Sequence, residues 1–282
     1  RAQVIGALEA VLLCGAGQSV ETLVGWRLKN NVPIAEFYGK GDPQINYLAD
    51  LSRDNSVMVR RRFMQCLARW IKEMDGADLY EQEVRLMPYL VSGLTDDDDS
   101  IKQLVLKYLD SLGQIHIDMN EDEYKERIEY GYMDEEAKDR ALSVQYPPPF
   151  KGRPSFAARV RVRQHFRALI YPIAAELESW FAKERMQSAK LLELLLIFTE
   201  EKATEFAHQI LPAMAKASDP ESRCLSAQVA RCAHVFANWV PSENYMPFAL
   251  SKMKQDALNP LGQRTQYTLL LVPLLEGMRQ PG

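Results

Sequence analysis

The sequence lacks the short motifs that announce an enzyme. Its 282 residues contain no Gly-x-Ser-x-Gly elbow, no Gly-rich phosphate loop with its Lys, and no dinucleotide fingerprint. No exposed serine nucleophile and no backbone cradle for a phosphate can therefore be located. Histidine is scarce. His116, His165, His208 and His234 stand alone, none followed by Glu and none paired at a four-residue step, so no helix face offers two imidazoles to a metal. Cys14, Cys66, Cys224 and Cys232 lie at no metal-ligand spacing and each falls in an apolar helical context; they read as reduced, buried thiols of a cytosolic protein. Cys224 and Cys232, eight apart, are expected on one helix face. No apolar run reaches the length of about 18 residues that a membrane-spanning helix needs. A strong charge of one sign is also missing: the net charge of −4 points neither to nucleic acid nor to a membrane. These absences leave a protein that works by contact, with no catalytic residues, no cofactor and no metal expected.

What is present is rhythm. Asp54 stands five residues before Val59-Arg60, and Asp96 five before Ile101-Lys102, a step of 42 residues. Asp219 opens the same phrase three steps later, with Cys224 in the apolar place. Pro88, Pro172 and Pro212 sit inside apolar helical stretches, 84 and 40 residues apart, and Pro247 follows 35 later. A helical period near 40 marks HEAT or armadillo arrays, which stack helix pairs because one pair cannot cover its own apolar stripe. Each unit is expected to hold a helix A, a turn carrying the Asp, and a helix B that the carboxylate caps.

The spacing predicts a B helix over 1–16, a short helix near 19–29, and pairs 44–52 with 56–74 and 80–94 with 99–113. Val59, Phe63, Cys66, Leu67, Trp70 and Ile71 form the core stripe of the second unit. Later pairs are 170–182 with 185–199, 201–217 with 221–238, and 242–256 with 262–278. The chain opens at Arg1 inside an amphipathic pattern and reads as a piece of a longer polypeptide. Between the halves lies an acidic stretch, 118–140, running into Tyr146-Pro147-Pro148-Pro149-Phe150-Lys151-Gly152-Arg153-Pro154. Three prolines in a row cannot be helical, so helices near 121–130 and 156–168 are joined by a long connection. The expected division is 1–117 for the first HEAT units, 118–155 for an acidic and proline-rich insertion within a unit, and 156–282 for the remaining HEAT units.

Four adjacent acids, Asp96 to Asp99, lack the alternating spacing and glycine of a calcium loop, and read as a solvated turn. Arg159, Arg163 and Arg167 recur every four residues along one helix, with Arg161, Lys151 and Arg153 close by, and Arg60-Arg61-Arg62 opens another. Such a basic strip could meet an acidic partner segment. The favoured reading is that it pairs internally with the acids of 118–140, because the two opposite charge blocks are adjacent in the chain. The prolines read as a rigid connector, and Trp26, Trp70, Trp180 and Trp239 as fillers between repeats.

The detail also resembles one family. Leu12-Leu13-Cys14-Gly15-Ala16-Gly17-Gln18-Ser19-Val20, Val59-Arg60-Arg61 with Trp70, Leu86-Met87-Pro88-Tyr89-Leu90, the proline-rich connector and Arg185-Met186-Gln187-Ser188-Ala189-Lys190-Leu191-Leu192 look like the HEAT-repeat axonemal dynein assembly factors, in that order. The resemblance runs from about residue 4 to residue 250 and corresponds to the C-terminal part of such a protein. It implies a cytoplasmic factor that helps axonemal dynein heavy and intermediate chains assemble, beside co-chaperones and without being an ATPase. The family brings no catalytic residues with it. The sequence also lacks the His-Glu pairs of the HEAT-like metal enzymes that resemble deoxyhypusine hydroxylase.

The expected fold is all-α, a right-handed α-solenoid of about six HEAT repeats with a long acidic and proline-rich insertion. The expected function is a scaffold or co-chaperone-like factor for preassembly of axonemal dynein arms. A HEAT-repeat peptide-binding adaptor, of the transport or phosphatase scaffold type, is the alternative. Candidate partner-binding residues are Arg60, Lys102 and Lys190 near the starts of B helices, and Arg159, Arg163 and Arg167.

Overall fold

The computed structural model describes residues 1–24, 47–129, 144–179, 181–219, 221–255 and 260–278. Among these, every regular element is helical. The chain forms two compact units. Arg1–His116 and Ser155–Pro172 make the first, Ile117–Pro154 and Ile173–Gly282 the second.

In the first unit α1 (Ala2–Leu13) packs on α4 (Val57–Glu73); α3 (Tyr47–Ser52) packs on α4 and on α5 (Gly76–Ser92), and α4 packs on α5. The short α2 (Val20–Val24) lies between α1 and α3 in the chain, and α6 (Asp99–Met119) follows α5. Helix α4 shows why the sequence folds this way. Val59, Phe63, Cys66, Leu67, Trp70 and Ile71, the expected stripe, are each 5% exposed or less. Each large side chain among them contributes about 1.5–3 kcal/mol by leaving water. Trp70 also donates its indole N–H to the Glu9 carbonyl of α1 at 3.4 Å.

Helix α7 (Glu121–Glu129) belongs to the second unit, and α8 (Phe156–Leu177) supplies residues to both. In the second unit α9 (Ala182–Thr199) leads through a 3-10 segment, Glu200–Phe206, to α10 (Ala207–Ala217). Then come α11 (Arg223–Trp239), α12 (Met246–Met253) and α13 (Leu261–Gly277). Helix α11 packs on α9, α10 and α13, and α13 also receives α10 and α12. From Leu191 to Thr199 every residue of α9 is buried, as for a helix with neighbours on all sides.

Several expectations need correction. Residues 156–168 and 170–182 were expected as separate helices, yet α8 is continuous with Pro172 inside it. The missing proline N–H forfeits one helical bond, to the Ala168 carbonyl, but Leu169, Ile170, Ile173 and Leu177 are all buried and hold the helix across the gap. The repeated Asp does not cap helix B. Asp54, Asp96 and Asp219 instead accept the backbone N–H two residues on, from Ser56, Asp98 and Glu221, at 2.8, 2.8 and 2.9 Å. This Asx-turn delivers the chain into the helix, and at α6 the cap is Asp98, which accepts from the N–H of Ser100 and of Ile101. Cys66 and Cys232 are buried as expected, whereas Cys14 and Cys224 are exposed. Eight residues turn a helix by about 80° beyond two full turns, enough to move Cys224 off the face that holds Cys232. Trp70 and Trp239 fill the core; Trp26 and Trp180 lie outside the described residues.

Candidate protein-interaction surface

In the first unit arginines tie each Asp of the repeated phrase to another helix. Arg1 reaches Asp54 at 2.5 Å, and the Arg60 guanidinium grips Asp96 with two N–H groups, at 2.8 and 2.9 Å. Arg60 also donates to the Asp54 carbonyl at 2.9 Å. The hydrogen bond to Asp96 pushes the Arg60 pKa above its ordinary value, against the opposing effect of burial. Arg60 therefore joins successive Asp turns, and its donors point inward.

The other expected contact residues divide. Lys102 is half-buried and pairs with Asp99 one turn back, at 2.8 Å. Arg159 is buried, with its guanidinium 5.8 Å from the Phe156 ring; Arg163 is half-buried; Arg167 is exposed. A four-residue step overshoots a helical turn by about 40°, so the strip rotates from core to solvent along its length. Arg161, on the same helix, forms an ion pair with Glu83 of α5, and burial draws its pKa down to about 10. The half-buried His165 lies 3.3 Å from the same carboxylate; desolvation first, and then Arg161, hold its pKa down to about 3. The side chains of 126–143, which carry most of the acids expected to meet this strip, lie outside the described residues. Arg167 and Lys190 are the two candidates that stand exposed, and neither has an ion pair among the described residues.

In the second unit the proline-rich connector is docked. Val144 and Phe150 are buried, and Phe150 meets Phe198 edge-on at 5.2 Å. Arg153 clamps Glu200 with two N–H groups, at 2.7 and 2.9 Å, and lies 5.6 Å from the Trp239 ring centroid. Glu200 is 1% exposed and sits at φ 52°, a conformation that L-residues adopt at a cost. The connector is thus anchored to the second unit through Val144, Phe150 and Arg153.

The composition and motifs do not single out a groove of about 350 Å³ in the first unit. Arg62, Gln65, Arg69 and Lys72 line it from α4, and Tyr108 and Ser111 from α6. At its floor the buried Glu9 of α1 forms an ion pair with Arg62 at 3.0 Å and accepts a hydrogen bond from Arg69 at 2.6 Å. Both arginines remain 38% and 54% exposed, so each keeps donors facing solvent. Burial pushes the Tyr108 phenol up, which keeps it a neutral donor. The signal in the sequence is the spacing of the α4 residues at i, i+3, i+7 and i+10, a polar stripe opposite the core stripe.

The arrangement is one of charged and hydroxyl side chains on stacked helices, suited to contact with another chain. Residues 145–279 match the family model described as dynein axonemal assembly factor 5, HEAT-repeat domain. Residues 40–127 match the model described as dynein axonemal assembly factor 5-like, TPR repeats. The chain belongs to the HEAT-repeat dynein axonemal assembly factor family. Relatives in the family named dynein axonemal assembly factor 5 include those of Xenopus laevis and Homo sapiens, each 23% identical over 217 and 221 residues, and that of Mus musculus, 21% identical over 225. Each alignment covers 77% of this chain and 25% of the relative, so the chain spans about a quarter of their length. No solved structure matches it. The TPR match, 40–127, overlaps most of the stretch 1–117 expected as N-terminal HEAT units; both descriptions are of arrays of paired helices. Among the described residues no helix is long and apolar enough to cross a membrane.

Proposed function

We propose that this chain is a non-enzymatic scaffold, co-chaperone-like in role, for the cytoplasmic preassembly of axonemal dynein arms. The observation that carries the reading is that both matched segments, 40–127 and 145–279, are similar to one and the same assembly factor. The helix pairs supply the means. As units of a right-handed solenoid of about six repeats they offer a long surface, on which affinity accumulates from many modest contacts. Dynein heavy or intermediate chains are the partners, with co-chaperones beside them, and neither nucleic acid nor membrane takes part. Arg167 and Lys190 contribute outward contacts, while Arg60 acts through the repeat stack it ties together.

The test is affinity capture from the cytoplasm of a ciliated cell, using this chain and the full-length protein as baits. Recovery of dynein heavy or intermediate chains is expected, reduced by Arg167→Glu together with Lys190→Glu in a bait that keeps its helical circular dichroism. If the full-length protein recovers no dynein chain, the proposal fails. A peptide-binding adaptor would instead be captured by a linear segment in isolation.

A further inference from the structure

We infer that the groove between α1, α4 and α6 is a docking site for an acidic polypeptide segment of a partner; this rests on the scaffold reading above. The first observation is charge. Three cations, Arg62, Arg69 and Lys72, line the groove against the single buried carboxylate of Glu9; Glu73, at its edge, pairs with Arg69 at 2.9 Å. The second is unspent hydrogen-bonding capacity. Lys72 is exposed and, like the Gln65 amide and the Tyr108 hydroxyl, has no hydrogen bond or ion pair among the described residues. The third is preorganisation. Glu9 holds the stems of Arg62 and Arg69 in place without using all their donors, so an arriving carboxylate finds the forks already set.

The stripe from Arg62 to Lys72 spans ten residues of helix, about 15 Å, which is long enough for successive acidic side chains of one segment. Ala68 and Leu112, both buried, give the floor an apolar strip against which an aliphatic side chain of the same segment can rest. A nucleic acid fits less well. Three cations are fewer than a nucleic-acid site ordinarily uses.

The probe is a fluorescein-labelled peptide of roughly a dozen residues, mostly Glu and Asp with interspersed Leu, matched in length to the stripe. Its binding to this chain is read by fluorescence anisotropy at low and moderate salt. The expected result is saturable binding that Lys72→Glu weakens by about tenfold or more, that Tyr108→Phe weakens by less, and that Lys183→Glu in the second unit leaves unchanged. Lys72 and Lys183 are both exposed, so neither change should disturb the fold. No binding, or equal loss with Lys72→Glu and Lys183→Glu, overturns the inference. So does a single-stranded oligonucleotide of equal charge that binds as tightly and responds to the same variant. Dynein capture that persists with Lys72→Glu, alongside peptide binding that is absent, removes this site and leaves the scaffold reading standing.

Discussion

Gly113 offers a sharp test of how the first unit is packed. A Cβ added there would run into the backbone carbonyl carbon and oxygen of Ala157 on α8 and stand 3.1 Å from its Cα. The obstacle is backbone, so no rotamer change relieves it and α6 and α8 must move apart. Leu109, Leu112, Ala158 and Val160 are all buried around this crossing and would lose contacts together. Overpacking of this kind costs about 1–3 kcal/mol, while replacing a mid-helix glycine by alanine returns up to about 1 kcal/mol of propensity. The expected net loss for Gly113→Ala is about 1–2 kcal/mol. Gly76→Ala is the matched control, because a Cβ on Gly76, the first residue of α5, meets nothing within 4 Å. It should leave stability unchanged or raise it by a few tenths of a kcal/mol. Urea titrations followed by circular dichroism give the comparison. If Gly113→Ala raises the midpoint as Gly76→Ala does, α6 and α8 do not meet at Gly113 and the packing argument is refuted.

His165 should make the protein acid-sensitive. Its folded pKa of about 3 lies below the unfolded value near 6.5. As pH falls through that window the unfolded chain takes up a proton that the folded one refuses, and stability declines by up to about 1.4 kcal/mol per pH unit. His165→Gln should flatten the fall in melting temperature between pH 6.5 and 5; an unchanged slope would count against an imidazole held neutral in the fold. Arg153→Ala leaves the buried Glu200 carboxylate without its clamp, at a cost of about 3 kcal/mol. Proteolysis at the proline-rich connector should speed up accordingly, and unaltered protease resistance would mean the clamp does not hold the connector. Maleimide should label two thiols in the native protein, Cys14 and Cys224, and four in urea, because burial shields Cys66 and Cys232 and pushes their pKa values up. Rapid labelling of a third thiol in the native state would contradict the core described for α4 or α11.

The period of the chain determined much by itself. Val59, Phe63, Cys66, Leu67, Trp70 and Ile71 could be assigned to one buried face because helical spacing alone puts them there. The Asp54 and Asp96 phrases marked the turns for the same local reason, although the bonds they make are two-residue Asx-turns and not helix caps. Which arginines remain outside was not legible. Arg159 and Arg167 look alike in sequence, but a drift of about 40° per four residues buries one and exposes the other against neighbours that only folding supplies. The partner of Arg161 is Glu83, 78 positions away, and no local pattern names it. The groove is decided in the same way: Glu9, Arg62, Arg69 and Tyr108 come from three helices distant in the chain. Local periodicity fixes which face of a helix is apolar, whereas the identity of the opposing face is a long-range fact, settled when whole helices close against one another and choose which charges remain exposed.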